Sequence, residues 1–123
     1  MSPASILVVD DDADNQELMG VMLRAEGFLV LTAANGLEAL ASVARRHPDL
    51  ILLDVMMPGM TGYEVVAEIK ANLATKGIPV IMITALNDRY ARTLALSAGA
   101  EAFLAKPVGR AELCGRVRSL LRG

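Results

Sequence analysis

Short, almost wholly apolar runs alternate along the chain with longer segments in which apolar residues recur at helical spacing. The apolar runs predict five strands, at about Ser5–Val9, Phe28–Thr32, Leu50–Leu53, Val80–Thr84 and Ala102–Lys106. The first, third and fourth runs are nearly free of polar residues, which is typical of strands covered on both faces of a sheet. The pattern therefore predicts a parallel sheet between two layers of helices.

The intervening segments predict five helices, each with an apolar stripe at i, i+3, i+4 and i+7 spacing. In chain order the stripes are Leu18, Val21, Met22 and Ala25; Leu37, Leu40, Ala41 and Ala44; Val65, Val66, Ile69 and Leu73; Ala91, Leu94, Ala95 and Ala98; and Leu113, Val117, Leu120 and Leu121. Gly27 and Gly99 follow the first and fourth helices, where a left-handed residue is favoured. His47-Pro48 is expected to close the second helix.

This alternation predicts an α/β fold, a (βα)5 three-layer sandwich of the flavodoxin-like type with a five-stranded parallel sheet and right-handed crossovers. The pattern alone does not determine the order of the strands. An order of 2-1-3-4-5, with the switch point beside the first strand, would bring the carboxyl ends of the first, third and fifth strands together. We expect a single domain over residues 1–123, with its core at about 5–122 and no output domain.

Composition narrows the classes of protein that fit. Hydrophobic residues make up 54% of the chain and aromatic residues 3%, so the core is expected to be aliphatic. A net charge of -2 argues against a nucleic-acid binder. The single cysteine, Cys114, cannot form an internal disulfide and is expected to be a small core side chain in a reducing compartment. Without a signal peptide or an apolar run of ~20 residues, a cytoplasmic protein with no membrane contact is expected.

Polar residues follow four of the predicted strands at the point where each strand ends, namely Asp10-Asp11-Asp12, Asp54, Thr84-Ala85 and Lys106-Pro107. In an open parallel sheet these ends converge on one crevice, where ligands bind. Clustered carboxylates need a compensating cation, and hard oxygen ligands suit Mg²⁺. We therefore assign Asp10 and Asp11 to a metal, and Asp12 or Asp14 to capping the first helix.

The third strand ends in an aspartate that is not followed at once by a helix. Pro58, Gly59 and Gly62 predict an irregular loop, so Asp54 is not expected to cap a helix. A carboxylate can act as a nucleophile toward phosphorus and form an acyl phosphate, provided that charge is neutralised around it. Lys106 must find an anion for its ammonium in this crevice, and a threonine hydroxyl at the end of the fourth strand could donate to a phosphoryl oxygen.

Together these residues resemble the receiver domain of two-component response regulators. The resemblance covers about Ser5 to Arg122 and rests on four motifs in order: Val8-Val9-Asp10-Asp11, Asp54 with Met57-Pro58-Gly59, Thr84-Ala85, and Lys106-Pro107. It implies that Asp54 is the phosphoacceptor, with Thr84 and Lys106 assisting the transfer. It also implies that Asp10, Asp11, Asp54 and the backbone carbonyl of Met56 bind Mg²⁺, for which Mn²⁺ could substitute.

The resemblance assigns roles to further positions. Thr84 is expected to be the switch hydroxyl and Phe103 the switch aromatic, while the backbone of Met56 and Ala85 contacts the phosphoryl group. The Lys106-Pro107 peptide bond resembles one that is often cis in this family, and an X-Pro bond tolerates the cis form.

The implied function is a phosphorelay step. A sensor histidine kinase or a histidine phosphotransfer protein would donate the phosphoryl group, and the receiver itself would catalyse the transfer. The face formed by the fourth helix, fifth strand and fifth helix would then change its affinity for a protein target, as a monomer or as a phosphorylation-dependent homodimer. Met56 and Leu86 flank the expected path of a hydrolytic water and cannot bind it strongly, so slow self-dephosphorylation is expected.

Several alternatives remain open at this stage. A degenerate receiver would act as a phosphorylation-independent scaffold, although the intact polar set argues against it. In a haloacid-dehalogenase-like phosphatase, Asp10-x-Asp12 would be the nucleophile motif, but a late acidic pair and a cap insert are missing. A flavodoxin-like cofactor binder would need a phosphate-cradling loop after the first strand, where the aspartates would repel phosphate. Four arginines on the last helix, Arg110, Arg116, Arg118 and Arg122, either form a solvated face or dock an acidic partner.

Overall fold

The structure is a computed structural model that describes residues 3–85 and 89–122 of the chain. Within these ranges the strands are β1 (Ser5–Val9), β2 (Leu29–Ala33), β3 (Leu50–Asp54), β4 (Val80–Thr84) and β5 (Ala102–Ala105). They form a five-stranded parallel sheet in the order β2-β1-β3-β4-β5. The predicted (βα)5 architecture and strand order are confirmed.

Five helices alternate with the strands in the described part of the chain. They are α1 (Ala13–Ala25), α2 (Gly36–Arg46), α3 (Gly62–Ala71), α4 (Arg89–Ala98) and α5 (Arg110–Arg122). Asp12 is the N-cap of α1, and its side chain accepts a hydrogen bond from the backbone of Asp14. Thr61 caps α3 in a capping box with Glu64, so Asp54 has no capping role, as the sequence predicted.

Strand boundaries differ from the predictions by one residue in three strands: β2 is shifted at both ends, to Leu29–Ala33, and β3 and β5 differ at their ends. β2 begins at Leu29 because the backbone N–H of Phe28 still donates to the Leu23 carbonyl at the end of α1, 3.2 Å away. β3 extends to Asp54, and β5 ends at Ala105 rather than at Lys106. Gly27 follows Glu26, the C-cap of α1, and adopts a positive φ of 93°, a backbone conformation that glycine permits.

Side chains of the sheet alternate between two aliphatic clusters, one on each face. Among the described residues, α2, α3 and α4 cover the first face, and α1 and α5 cover the second. In β1, for example, Leu7 and Val9 point to the first cluster, whereas Ile6 and Val8 point to the second. Cys114 of α5 is buried in the second cluster, as predicted. This double cover explains why the central strands are apolar throughout.

The predicted apolar stripes of α1 and α2 are correct only in part: Met22 and Leu40 are partly buried against the two clusters, but the other predicted residues are exposed. Leu18 and Leu37 are 58% and 75% exposed, and the buried face of α1 is instead formed by Met19 and Leu23. In α2 the buried residues include Ala39 and Val43 rather than the predicted alanines. Both helices carry apolar residues in more than one register. Contact with the sheet selects the face that is buried, and the helical period does not encode that contact.

The remaining stripes are confirmed in part. Val65, Val66 and Ile69 of α3 are buried, but Leu73 lies beyond the end of α3 and is exposed. In α4 Ala91 and Ala95 are buried while Leu94 is exposed, because small side chains let this helix lie close to the sheet. The stripe of α5 packs against the sheet as predicted, with Leu113 and Val117 fully buried and Leu120 and Leu121 partly buried. None of the helices described is long and apolar enough to span a membrane.

Candidate functional site

Strand register brings the predicted polar residues to one edge of the sheet. Val9 of β1 pairs with Leu53 of β3, so the residues that follow them, Asp10 and Asp54, leave the two strands side by side. On β4, Ile83 pairs with Asp54, which puts Thr84 one residue further along. Thr84 in turn pairs with Ala105, the residue before Lys106. Four separate segments of sequence therefore meet where the sequence predicted.

Three carboxylates form the centre of this site. Oxygens of Asp10, Asp11 and Asp54 all lie within 4.8 Å of one another, and we call these residues the acidic cluster. Asp10 is 0% exposed and Asp54 is 7% exposed, whereas Asp11 faces solvent. Like charges this close repel one another, and a cation among them would relieve the repulsion. Hard carboxylate oxygens with one open side are a donor set that fits Mg²⁺.

Lys106 provides a positive charge beside the acidic cluster. Its Nζ lies 2.9 Å from Asp10 Oδ2 and 3.6 Å from Asp54 Oδ2. Burial lowers the pKa of Lys106, but the hydrogen bond to Asp10 and the charge of Asp54 outweigh that effect and raise it above its ordinary value. The ammonium therefore stays protonated. The Lys106-Pro107 peptide bond is cis, in agreement with the prediction.

Opposing effects act on the pKa of Asp54. Burial raises the pKa of its carboxyl group and the neighbouring Asp10 charge adds to this effect, while Lys106 and the backbone N–H of Met56 lower it. The net shift is upward, so the ionised form of Asp54 is held in surroundings that disfavour its charge. Adding a cation or converting the carboxylate into an ester would lower that energetic cost. This is the electrostatic condition expected at a site of modification.

The comparison with known families bears directly on this geometry. The sequence model of the response regulator receiver domain matches residues 6–118. The chain belongs to the response regulator receiver family. The fold and the residues at the carboxyl edge of its sheet agree with this assignment, and so the receiver is a two-component signalling domain.

Individual relatives agree with the family assignment. The receiver is 50% identical over 97% of its length to the response regulator PleD of Caulobacter vibrioides, and spans 26% of that protein. It is 43% identical over 95% of its length to the DNA-binding response regulator MtrA of Mycobacterium tuberculosis, and spans 50% of it. The crystal structure of the chemotaxis protein CheY4 of Vibrio cholerae superposes with a TM-score of 0.91 at 31% identity, covering 97% of this chain and 99% of that one.

These findings favour one of the sequence-based hypotheses over its rivals. The haloacid-dehalogenase-like alternative required Asp12 to act as a catalytic group, but Asp12 is the exposed N-cap of α1. The acidic cluster is instead of the type that receivers use for Mg²⁺, and receivers as a family partner with histidine kinases. The particular metal, donor and target of this receiver remain predictions.

Sequence reasoning missed Gln16, a residue of α1 that contacts the site from behind. Its Nε2 donates to the carbonyl oxygen of Asp10 at 2.6 Å and to that of Ala33 at 3.1 Å. Gln16 precedes the buried Met19 and Leu23 by three and seven residues, so it lies on the sheet-facing side of the helix. A polar residue in register with the buried face was the sequence signal that could have found it.

The predicted switch and backbone positions are located as follows. Thr84 is buried at the end of β4, and its backbone carbonyl accepts a hydrogen bond from the Lys106 N–H at 2.8 Å. Phe103 on β5 is partly buried and packs against the cluster beneath α2, α3 and α4. The Met56 side chain is 60% exposed, and Ala85 is exposed. Leu86, which was predicted to flank the path of a hydrolytic water, lies outside the described residues.

Two of the four arginines on α5 have partners within the domain. Glu26, the C-cap of α1, accepts hydrogen bonds from the guanidinium groups of both Arg110 and Arg118. The guanidinium of Arg118 also lies 5.8 Å from the centroid of the Phe28 ring. The basic helix therefore supports the packing of α5 against α1, which neither sequence-based alternative foresaw.

Proposed function

We propose that this receiver accepts a phosphoryl group on Asp54 from a phosphohistidine, in a reaction that depends on Mg²⁺ or Mn²⁺. The observation that carries the proposal is the acidic cluster, with oxygens of Asp10, Asp11 and Asp54 within 4.8 Å of one another and the Lys106 ammonium 3.6 Å from Asp54. Charge balance and a nucleophile are what phosphoryl transfer requires of a protein.

The transfer is an in-line displacement at phosphorus. A carboxylate oxygen of Asp54 attacks the phosphorus, and the new O–P bond forms as the P–N bond of the phosphohistidine breaks. The electron pair of that bond returns to the imidazole nitrogen of the donor. The buried Asp54 attacks as its carboxylate anion and therefore needs no general base.

The surrounding residues stabilise charge on the transferred group. A divalent cation, when bound by the acidic cluster and the carbonyl of Met56, would neutralise carboxylate and phosphoryl oxygens together. Lys106 would move its contact from the Asp54 carboxylate to a phosphoryl oxygen. Thr84 and the backbone N–H groups of Met56 and Ala85 would donate to the remaining oxygens, and this rearrangement would be transmitted to Phe103 and to the face formed by α4, β5 and α5.

A groove beside the site is suited to the phosphohistidine donor. It has a volume of about 330 Å³, lies between α1 and the segment after β5, and has a mostly apolar lining. Its walls include Leu18 and Met22 on one side and Pro107 and Val108 on the other, and Lys106 is also part of the lining. Because Lys106 both lines this groove and contacts Asp10 and Asp54, we propose that the histidine-bearing partner docks here.

The activities of longer relatives are not assigned to this chain, because it spans only part of their length. MtrA is named a DNA-binding response regulator, but the receiver spans about half of it. We propose that residues 1–123 form one receiver domain, whose core is at about 5–122 and which has no nucleic-acid contact of its own. A single cooperative unfolding transition is the expected result for one domain.

The downstream target is a protein that recognises the face formed by α4, β5 and α5.

The test of the proposed function is intact mass after incubation with acetyl phosphate. We expect the wild-type chain to gain about 80 Da, one phosphoryl group, when Mg²⁺ is present and to gain nothing with a chelator. Asp54→Asn should abolish the gain. Asp14→Asn is a matched control, because it removes an exposed carboxylate of α1 that lies outside the acidic cluster.

Other outcomes would change the conclusion. A mass gain that persists in Asp54→Asn would assign the phosphoacceptor to another residue. If neither acetyl phosphate nor a phosphorylated histidine phosphotransfer protein modified the wild type, the phosphorelay proposal would be overturned and the scaffold alternative adopted.

A further inference from the structure

We infer that Gln16 is a positioning residue for the acidic cluster: it holds the backbone of Asp10 in the geometry from which Asp10 binds the cation. The inference rests on the proposed function, since it concerns the same metal site. It names a residue of α1 that belongs neither to the carboxylates nor to the charged groups of the site. Gln16 acts through Asp10 and is not expected to touch the cation or the phosphoryl group.

Gln16 makes its contacts at the point where the backbone pairing between β1 and β2 ends. Ala33 is the last residue of β2, and the bond from the Asp10 N–H to the Ala33 carbonyl, at 3.1 Å, follows the last register pair of β1 and β2. Beyond this point the Gln16 amide takes over, donating at 2.6 Å to the Asp10 carbonyl and at 3.1 Å to the Ala33 carbonyl. Since both partners are acceptors, the amide nitrogen must face them, which fixes the orientation of the side chain.

Asp10 is consequently held through different atoms by separate elements. Its Oδ1 accepts from the backbone N–H of Asp12 at 2.9 Å, and its Oδ2 accepts from Lys106 at 2.9 Å. Gln16 holds the carbonyl oxygen of the same residue. The side-chain contacts orient the carboxylate, and the backbone N–H of Asp10 is held by the Ala33 carbonyl at 3.1 Å. The bond from Gln16 restrains the carbonyl side of the same residue, from which the chain continues into Asp11.

The restraint matters because the carboxylates of the acidic cluster repel one another. Asp10 is fully buried and has to remain within 4.8 Å of the Asp11 and Asp54 oxygens before any cation arrives. A neutral amide can hold Asp10 there without adding a positive charge that would compete with the cation. Partners that orient a metal ligand in this way commonly change metal affinity by about 10- to 100-fold when they are removed.

The experiment measures Mg²⁺ binding directly, by isothermal titration calorimetry on the full chain. Gln16→Met keeps the length of the side chain and removes its donor. We expect the Kd for Mg²⁺ to rise about 10-fold. Correspondingly, the Mg²⁺ concentration that half-saturates phosphorylation by acetyl phosphate should rise, while the rate at saturating Mg²⁺ stays within about twofold of wild type, as a purely ligand-positioning role predicts.

A control separates positioning from loss of stability. Thr75 donates its hydroxyl to the Ile69 carbonyl at 2.8 Å, in the loop before β4, at the opposite edge of the sheet. Thr75→Val removes a bond of the same kind, from side chain to backbone carbonyl, without touching the acidic cluster. It should lower the urea midpoint and leave the Kd for Mg²⁺ unchanged. Gln16→Asn, which keeps the amide but is one methylene short, serves if Gln16→Met does not fold.

The outcomes are distinguishable from failure of the proposed function. If wild type binds Mg²⁺ but gains no phosphoryl group, the phosphorelay proposal fails, and the Kd of the Gln16 variants still decides the inference. A Kd in both Gln16 variants within about twofold of wild type, or an equal loss of affinity in Thr75→Val, would overturn it. So would the absence of any Mg²⁺ binding by the wild-type chain.

Discussion

The sharpest steric prediction concerns Gly62, the first residue of α3. A Cβ built on Gly62 would lie 2.3 Å from the carbonyl oxygen of Asp54, 2.8 Å from the Met82 Cε and 2.9 Å from the Val55 Cα. Two of these neighbours are backbone atoms, one of them in Asp54, the proposed phosphoacceptor. The Gly62 N–H also donates to the Val55 carbonyl at 2.9 Å, so α3 cannot retreat without breaking that bond.

We therefore expect Gly62→Ala to destabilise the protein. Overpacking a buried site costs about 1–3 kcal/mol, and the upper half of that range applies here because a backbone carbonyl cannot rotate out of the way as a side chain can. The gain in helix propensity of alanine over glycine, at most about 1 kcal/mol, offsets part of the cost. A net loss of about 1–3 kcal/mol follows from these two terms.

The assay is urea unfolding followed by far-ultraviolet circular dichroism, with the free energy of unfolding taken from the midpoint and slope. Gly115→Ala is the matched control, since a Cβ on this exposed glycine of α5 meets no atom within 4 Å. It should raise the free energy of unfolding by roughly 0.5–1 kcal/mol. If Gly62→Ala were as stable as wild type, or shifted in the same direction as Gly115→Ala, the steric reasoning would be refuted.

Three further predictions concern charge and the phosphoryl group. Lys106→Met removes the ammonium beside the acidic cluster, so the free energy of unfolding should fall by about 1–2 kcal/mol. Mg²⁺ should then raise the free energy of unfolding more in this variant than in wild type. Hydrogen bonds from two arginines of α5 lower the pKa of Glu26 below its ordinary value of 4.5. Its contribution to stability is thus present above pH 4.5 and is lost as the pH falls through the lowered pKa, so wild type and Glu26→Gln should converge in acid. Met56→Asn should shorten the lifetime of the acyl phosphate on Asp54, because an amide can hold a hydrolytic water and the exposed thioether cannot.

Each of these has a direct readout. Urea midpoints with and without Mg²⁺ test Lys106→Met, and equal midpoints for variant and wild type would contradict it. For Glu26→Gln, midpoints are compared across the acid range; a stability difference that does not depend on pH would exclude the ion pairs as its cause. Decay of the phosphorylated mass reports the effect of Met56→Asn, and we would abandon the idea if the half-life did not change.

Local properties of the sequence were enough to predict the elements and the edge at which the polar residues meet. Apolar runs of strand length followed by Asp10, Asp54 and Lys106 carry that information, because a parallel sheet directs the carboxyl ends of all its strands to one side. The N-cap of α1 was narrowed to Asp12 or Asp14 for the same reason, since a cap is formed by residues that are neighbours in the chain, and the structure has Asp12 there.

Which helix faces are buried was decided by the tertiary structure. Leu18 and Leu37 had the correct period for a buried stripe, yet both are exposed. A helix with apolar residues in several registers can turn any of them toward the sheet, and the choice depends on how well each face packs against strands that are distant in sequence. Periodicity measures the repeat and does not determine the orientation.

The same reason explains what remained hidden in the site. Gln16 reaches Ala33 across 17 positions, and Glu26 meets Arg118 across 92 positions of the sequence. Likewise, the 2.9 Å contact between Lys106 and Asp10 joins residues 96 positions apart. The sequence by itself determined which chemical groups stand at the ends of strands, because that is local. Only the packed sheet and helices decided the distances between those groups, the direction in which their pKa values shift and the residues that hold them in place.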